Sequence, residues 1–384
     1  MKAGWKTVKL EEVCAVEFGE RVVRKKDAGT MYPVYGGGGA TFNIDRHNRE
    51  SCVVISRFGM SERCVRFVEG KFFLNDSGLT VTSTSPEASQ GYIDLLLHAK
   101  AQEIYALGSG TAQKNLDTKS FRSLEIPLPP LAEQKRIVAL LDEAFAGIDA
   151  AKTKAELNLS SSKTILGLHL KSIFSQGGGS PRESWHKTKL ANLTDVQSGS
   201  AFPTERQGKV SSGIPFYKVS DMNISGNERY MIHENNSVTE DVRRTLNASI
   251  FPKGSVIFPK VGGAIATNKK RITTRECCVD NNVMGAIPKP GKMTSEFLYY
   301  FFLAYNLSEF ANEAHLPSIK KTTVEEWELS VPRDIKDQEC IVDKLDILTD
   351  SIHKLTQITE QKIAAFAELK SSILAQAFAG ELTA

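Results

Sequence analysis

The chain writes one plan twice, and this duplication constrains its fold more than any single motif. "WKTVKLEEVCAVEFG" from Trp5 aligns with "WHKTKLANLTDVQSG" from Trp185 at an offset of 180 (185 − 5), matching Trp5/Trp185, Leu10/Leu190, Val16/Val196 and Gly19/Gly199. "YPVYG" at Tyr32 is answered by "IPFYK" at Ile214, and "CVVISRFG" (Cys52–Gly59) by "SVIFPKVG" (Ser255–Gly262). Two helix starts then align at an offset of 204 (338 − 134): Gln134/Gln338, Ile137/Ile341, Val138/Val342, Leu141/Leu345 and Asp142/Asp346. The helix ends echo too, as "LKSIFSQ" from Leu170 and "KSSILAQ" from Lys370. A fixed internal period of this kind is the signature of a repeated architecture.

The order is globule, long helix, globule, long helix. The first globule is expected over residues 1–130 and its helix over 131–178; the second pair is expected over 179–334 and 335–384. Proline at Pro127, Pro129 and Pro130 suits a helix start, where a missing N–H costs nothing. "GGGSPRES" (Gly177–Ser184) is a flexible breaker after the first helix. Within the globules, short β-rich runs such as "SCVVISRF", "GLTVTSTS" and "GSVIFPKV" lie between turn residues. One helical stretch precedes each junction: "YIDLLLHAKAQEIYAL" and "SEFLYYFFLAYNLSEFANEA". The fold class is α+β: two similar α/β domains joined by two long helices.

The helices carry a heptad seam. Ile137, Leu141, Ile148, Leu159, Leu166 and Ile173 mark the first; Ile341, Leu345, Leu348, Ile352, Leu355, Phe366 and Ile373 mark the second. Apolar steps of three and four over some 35 residues make a coiled-coil stripe. The nearest similar stripe is the other helix of the same chain, so an antiparallel intramolecular pair with pseudo-two-fold symmetry is expected. Two equivalent modules held a fixed distance apart are suited to a bipartite DNA site.

Catalytic chemistry is hard to find. There is no phosphate-binding loop: "GGGG" at Gly36–Gly39 lacks a terminal Lys-Ser/Thr and opens no helix, and reads as a tight turn or a close backbone approach. No Asn-Pro-Pro-aromatic run of an adenine methyltransferase occurs. Cys14, Cys52, Cys64, Cys277, Cys278 and Cys340 form no C-x-x-C pair, so no metal is expected and the cysteines read as small buried hydrophobes. No apolar run approaches a bilayer span and the N-terminus carries no secretion signal, so a cytoplasmic protein is expected. Residues 1–127 carry 17 basic and 15 acidic side chains, residues 181–332 carry 19 and 16, and residues 333–384 carry 6 and 9. Mildly positive globules and a negative tail suit two modules that touch an anion.

Affinity for a duplex needs Lys and Arg for phosphates; specificity needs forked or amide groups at base edges. In the first globule the candidates are Arg57, Lys71, Gln113, Lys114 and Asn115. In the second they are Lys260 (aligned with Arg57), the run Lys269-Lys270-Arg271, Lys320-Lys321, and Asn281 and Asn282 as adenine readers. Tyr217, Tyr299 and Tyr300 read as core.

"IPLPPLAEQKRIVALLD" resembles the joining helix of specificity (S) subunits of type I restriction–modification enzymes. "YPVYGGGG", "ISRFG" and "VEGKF" are similar to that family's target-recognition domains, and "GTAQKNLDTKSFRSLEIPLPP" to the end of one. The resemblance covers essentially the whole chain. Copy two departs from it: "VPRDIKDQE" lacks the double proline and the Glu-Gln pair, although Gln338 and the apolar seam persist. The resemblance implies a non-catalytic, DNA-binding subunit that docks two modification (methyltransferase) subunits acting on adenine N6. With two restriction (endonuclease/translocase) subunits it would form an ATP-dependent nuclease. S-adenosylmethionine, ATP and Mg are then expected in the partner subunits and no cofactor in this chain. The alternatives are a stand-alone methyltransferase or nuclease, which would bind S-adenosylmethionine; a coiled-coil connector, which would bind no duplex; and a DNA reader for a system with a fused modification–restriction partner.

Overall fold

The computed structural model describes residues 4–110, 113–174, 185–210 and 213–382, with only the backbone of Lys163. The expected breaker at Gly177–Ser184 lies outside the described residues. The chain forms two compact units, Met1–Glu156 with Thr359–Ala384, and Leu157–Ile358. Each long helix therefore starts in one unit and ends in the other, so the units cut across the four sequence blocks.

In the first unit, β1 (Lys6–Lys9) pairs antiparallel with β10 (Glu125–Leu128), tying the globule's beginning to its end. Between them runs a six-stranded sheet. Its strands are β2 (Cys14–Phe18), β3 (Tyr32–Tyr35), β4 (Asn43–Ile44), β5 (Arg49–Ser56), β6 (Val65–Leu74) and β7 (Gly78–Ser83). Their order is β2-β7-β5-β6-β3-β4. The β5/β6 ladder bends at a bulge, where Ser51 sits at φ 38° and its hydroxyl accepts from Gly70 N–H at 2.9 Å. A small hairpin, β8 (Gly108–Ser109) with β9 (Asn115–Leu116), stands apart. The Gln90–Ala99 helix drives Tyr92, Ile93, Leu96 and Leu97 into one core with Val53, Ile55 and Leu79.

The second unit repeats this plan. β11 (Trp185–Lys189) pairs with β20 (Glu328–Pro332) as β1 pairs with β10. The main sheet contains β12 (Thr194–Ser198), β14 (Tyr230–Met231), β16 (Val256–Pro259), β17 (Arg271–Thr273) and β19 (Val283–Pro288), ordered β12-β19-β16-β17-β14. β13 (Ile214–Tyr217) lies between β15 (Ser237–Val238) and β18 (Cys278–Val279). The long β6 is here divided: β17 takes its place beside β16, and β18 runs parallel to β13 as the end of β6 runs parallel to β3. β14 is an addition. The helix expected over "SEFLYYFFLAYNLSEFANEA" stops at Leu303, followed by one 3-10 turn at Leu307–Phe310.

The long helices run Leu131–Phe174 and Ile335–Ala379, about 66 and 68 Å at ~1.5 Å per residue. The aligned glutamines explain why both begin alike. Gln134 is fully buried; its Nε2 donates to the carbonyls of Glu87 (2.7 Å) and Pro129 (2.8 Å), and its Oε1 accepts from Ser89 N–H (2.8 Å). Gln338 does the same with Lys292 O (2.9 Å), Pro332 O (3.3 Å) and Thr294 N–H (3.1 Å). A buried amide with its donors and acceptor matched stitches each helix start to its globule.

Each unit also receives the far end of the other helix. In the first, Ala377 joins the core that holds Ile137 and Leu141, and Lys370 pairs with Asp149 at 2.6 Å, so the two segments run antiparallel. In the second, Phe174 packs edge-on to Phe297 and Phe301 at 5.2 and 5.8 Å, contacts worth roughly 0.5–1.5 kcal/mol each beyond their buried area.

Ile137, Leu141, Ile148 and Leu345 are buried; Leu159, Leu166, Ile173, Ile341, Leu348, Ile352, Phe366 and Ile373 are half-buried. Leu355 is a correction. It is 49% exposed, while Thr359 four residues on is 9% exposed. A helix of 3.6 residues per turn drifts against a strict seven-residue repeat, and the inward face passes from Ile352 through Thr356 to Thr359.

Candidate nucleic-acid interface

One corner of the sheet is built twice, hydrogen bond for hydrogen bond. In the first unit Gly19 N–H donates to Gly78 O (3.1 Å), Glu20 N–H to Leu74 O (3.0 Å) and Asn75 N–H to Tyr35 O (2.8 Å). In the second, Gly199 N–H donates to Val283 O (3.0 Å), Ser200 N–H to Val279 O (2.9 Å) and Asp280 N–H to Tyr217 O (2.9 Å). The turn between strands is closed by its own first side chain: Asn75 Oδ1 accepts from Ser77 N–H (2.9 Å), Asp280 Oδ1 from Asn282 N–H (3.0 Å). This is an Asx turn, which suits Asn and Asp. Glycine is required where the strands meet: a Cβ on Gly19 would lie 2.0 Å from Asn75 O, and one on Gly199 2.0 Å from Asp280 O.

The aligned cations stand on this corner. Arg57 N–H donates to Ser77 O and Lys260 N–H to Asn282 O, each at 2.8 Å. Their carbonyls accept from Leu116 and Ile319 N–H, each at 2.9 Å. Arg57 and Lys260 are thus equivalent in structure as in sequence. The Arg57 guanidinium stacks over Phe18 (4.5 Å) and Phe58 (4.7 Å), while Lys260 Nζ donates to Ser198 Oγ at 3.1 Å. Cation–π stacking, together with one long hydrogen bond from Arg57 Nη1 to Asp76 O (3.5 Å), holds the planar fork in place.

Other candidates gather here. Asn115 Oδ1 accepts from Gly59 N–H (3.4 Å), Lys114 O from Met60 N–H (2.8 Å), and Lys114 Nζ sits 3.7 Å over the Tyr105 ring. Gln113 is exposed in the same loop. Asn281 and Asn282 are exposed on the second turn, where the first has Asp76 and Ser77. Lys320 and Lys321 are exposed and line, with Lys260, a cleft of about 400 Å³. They are not counterparts of Lys114 and Asn115: since Leu116 matches Ile319, Lys320 matches Asp117.

The run Lys269-Lys270-Arg271 does not form a basic patch. Lys270 is fully buried, donating to Asn268 Oδ1 (2.6 Å) and Tyr305 O (3.0 Å), and burial lowers its ammonium to about 7. Arg271 donates to the carbonyls of Lys270 (2.7 Å) and Met222 (2.8 Å), a structural use, and Lys269 is half-buried. Lys71 lies in mid-ladder opposite Glu50, on a strand and not in the loop cluster. Tyr217, Tyr299 and Tyr300 are core.

Sequence reasoning passed over Arg66. Its guanidinium donates to the carbonyls of Gly37 and Gly38 and to Ser56 Oγ (2.8 Å), fastening the glycine run to the corner. The run is a close approach: a Cβ on Gly36 would lie 2.3 Å from Asn75 Oδ1, one on Gly37 2.5 Å from Phe58 O. The "NDSG" and "DNN" turn signals could have drawn notice to the corner.

Cys14, Cys64, Cys277 and Cys278 are buried, Cys52 is half-buried and Cys340 exposed. Among the described residues no group of three or more His, Cys, Asp or Glu could hold a metal ion, and no helix is long and apolar enough to cross a membrane.

The duplicated α+β chain thus offers the same cation-bearing corner twice. The chain belongs to the type I restriction modification DNA specificity domain family, whose model matches residues 2–159 and 182–364. It is a DNA-recognition subunit of the type I restriction–modification class. It is 22% identical over 335 residues to the type I restriction enzyme MjaVIII specificity subunit of Methanocaldococcus jannaschii, a match covering 82% of this chain and 76% of that one. It is 27% identical over 308 residues to the StySPI specificity subunit of Salmonella potsdam, covering 73% of this chain and 63% of the relative. Its fold is similar to a chain of a type I R-M system solved in a study of complex assembly and conformational transition (TM-score 0.77, 16% identity, 99% of both chains). It is also similar to the HsdS subunit from Thermoanaerobacter tengcongensis (TM-score 0.57, 17% identity, 99% of this chain and 98% of that one).

Proposed function

We propose that each unit reads one half of a bipartite DNA site, and that the long helices set the gap and dock two methyltransferase subunits. One observation carries this reading. The corner's backbone bonds are the same in both units, while the side chains it displays differ: Arg57, Asp76 and Ser77 in one, Lys260, Asn281 and Asn282 in the other. A common scaffold with different display suits two different half-sites, because backbone positions the element and side chains at base edges specify the sequence.

In this reading Arg57 meets guanine or phosphate through its fork, Lys260 and Lys320 meet phosphate, and Asn281 or Asn282 meets adenine. The methyl donor, ATP and Mg²⁺ belong to the partner subunits, two for modification and two for restriction, and the assembly works in the cytoplasm. Mapping modified bases in host cells with and without this chain tests the proposal. The expected result is N6-methyladenine in a split motif, lost on deletion; an unchanged methylome overturns it.

A further inference from the structure

The second unit covers a surface that the first leaves bare. β14 adds to the edge of β17 in parallel, with Tyr230 opposite Ile272 and Met231 opposite Thr273. Ile272 N–H donates to Arg229 O at 2.8 Å, and Ile272 is 2% exposed. Arg229 then reaches the helix: its guanidinium bonds Asp346 at 2.7 Å and lies 5.1 to 5.4 Å from the rings of Tyr230, Tyr299 and Tyr300.

The matching positions of the first unit follow from the ladder and the glutamine stitches. Phe67 opposes Val53 as Ile272 opposes Val256, so Phe67 matches Ile272. Asp142 matches Asp346. Asp94 matches Tyr299, each five residues after the residue whose N–H meets the aligned glutamine. Among the described residues, β6 has only β5 beside it along Val65–Val68, since β3 joins at Phe73. Phe67 is 52% exposed. Next to it opens a cleft of about 580 Å³, bordered by Phe67, Asp94, His98, Asp142, Phe145 and Lys370.

We infer that this bare strand edge and cleft receive an extended segment of a partner protein that presents an arginine followed by an aromatic residue. The segment adds as a strand beside β6, covers Phe67, and brings its guanidinium to Asp142, as Arg229 reaches Asp346 in the second unit, with Asp94 standing where Arg229 there meets the Tyr299 ring. Added strands take affinity from the main chain and specificity from side-chain pockets. Burial raises the Asp94 carboxyl, so a cation entering the cleft meets one carboxylate poorly served by water, with Gln90 Nε2 donating to it at 2.8 Å, and a second, Asp142, at the exposed rim. Lys370 is no rival cation, being paired with Asp149 and lying 5.1 Å over the Phe145 ring. The two carboxylates disfavour a nucleic-acid occupant.

The probe is a peptide copying Asn227–Glu234 of this chain, with benzoylphenylalanine in place of the aromatic residue, added to the full chain. Photo-crosslinks located by mass spectrometry are expected around Val65–Val68 and Val138–Asp142. Phe67→Glu and Asp142→Lys, both at the surface, should lower the crosslink yield about tenfold or more, as should Ala for the peptide's arginine. Unaltered thermal unfolding of the variants shows that they fold. No crosslink in this region, or yields unchanged in both variants, overturns the inference. Self-association of the chain that Phe67→Glu abolishes, or loss of the crosslink on adding duplex DNA, also overturns it by assigning the surface to a second copy or to DNA.

Discussion

Replacing Gln134 with alanine removes three hydrogen bonds at once, from Ser89 N–H and to the carbonyls of Glu87 and Pro129. Each contributes about 0.5–1.5 kcal/mol net, and a buried donor left bare costs about 1–3 kcal/mol. The helix start should therefore loosen by about 2–4 kcal/mol. Gln134→Glu should do as much damage or more, because a carboxylate then faces two carbonyl oxygens away from water. Hydrogen exchange followed by mass spectrometry reads this locally. Exchange of the Ser89 amide should accelerate ~30- to ~700-fold, since each 1.4 kcal/mol is a factor of ten. The Thr294 amide, held by Gln338 in the other unit, should change little; Gln338→Ala should reverse the pattern. A change at Ser89 below about 0.5 kcal/mol, the usual size for a surface substitution, would refute the idea that these glutamines hold the helix starts.

Three further outcomes follow from the geometry. Arg57→Ala and Lys260→Ala should each weaken binding to the cognate duplex and lower the salt slope by about one; a fluorescence-anisotropy titration at several salt concentrations checks this. Lys270 is charged in the unfolded chain up to about its ordinary 10.5 but in the folded chain only up to about 7. The unfolded chain thus binds more protons between those values, and stability should rise with pH from about 7 towards 10.5; Lys270→Met should flatten that rise in urea titrations relative to the parent. Adding four residues to the first long helix lengthens it by ~6 Å, nearly two base steps at ~3.4 Å each, so the gap in the methylated motif should widen with both halves unchanged.

The duplication was legible because its matching residues do physical work. Gly19 and Gly199 are glycine where strands touch, and Gln134 and Gln338 are glutamine where a buried amide is matched on every side. The Arg57/Lys260 alignment survived because both are held by a turn carbonyl. Lys270 was illegible: in "NKKR" it reads as solvated charge, and its burial depends on Tyr305, thirty-five residues away. Leu355 misled because leucine carries the heptad by type, whereas helix geometry turns Thr359 inward. β14 was invisible because two strand residues carry no periodicity, and the covering of β17 is a long-range event.

The central claim is that the two corners read different halves of one site. Base-resolution mapping of methylated adenine tests it most directly, comparing the parent with Asp76→Ala/Ser77→Ala and with Asn281→Ala/Asn282→Ala. The account predicts that each pair relaxes the sequence of one half-site, a different half for each pair, with the gap unchanged. Both halves relaxing together in either variant, or neither relaxing in both, would contradict it.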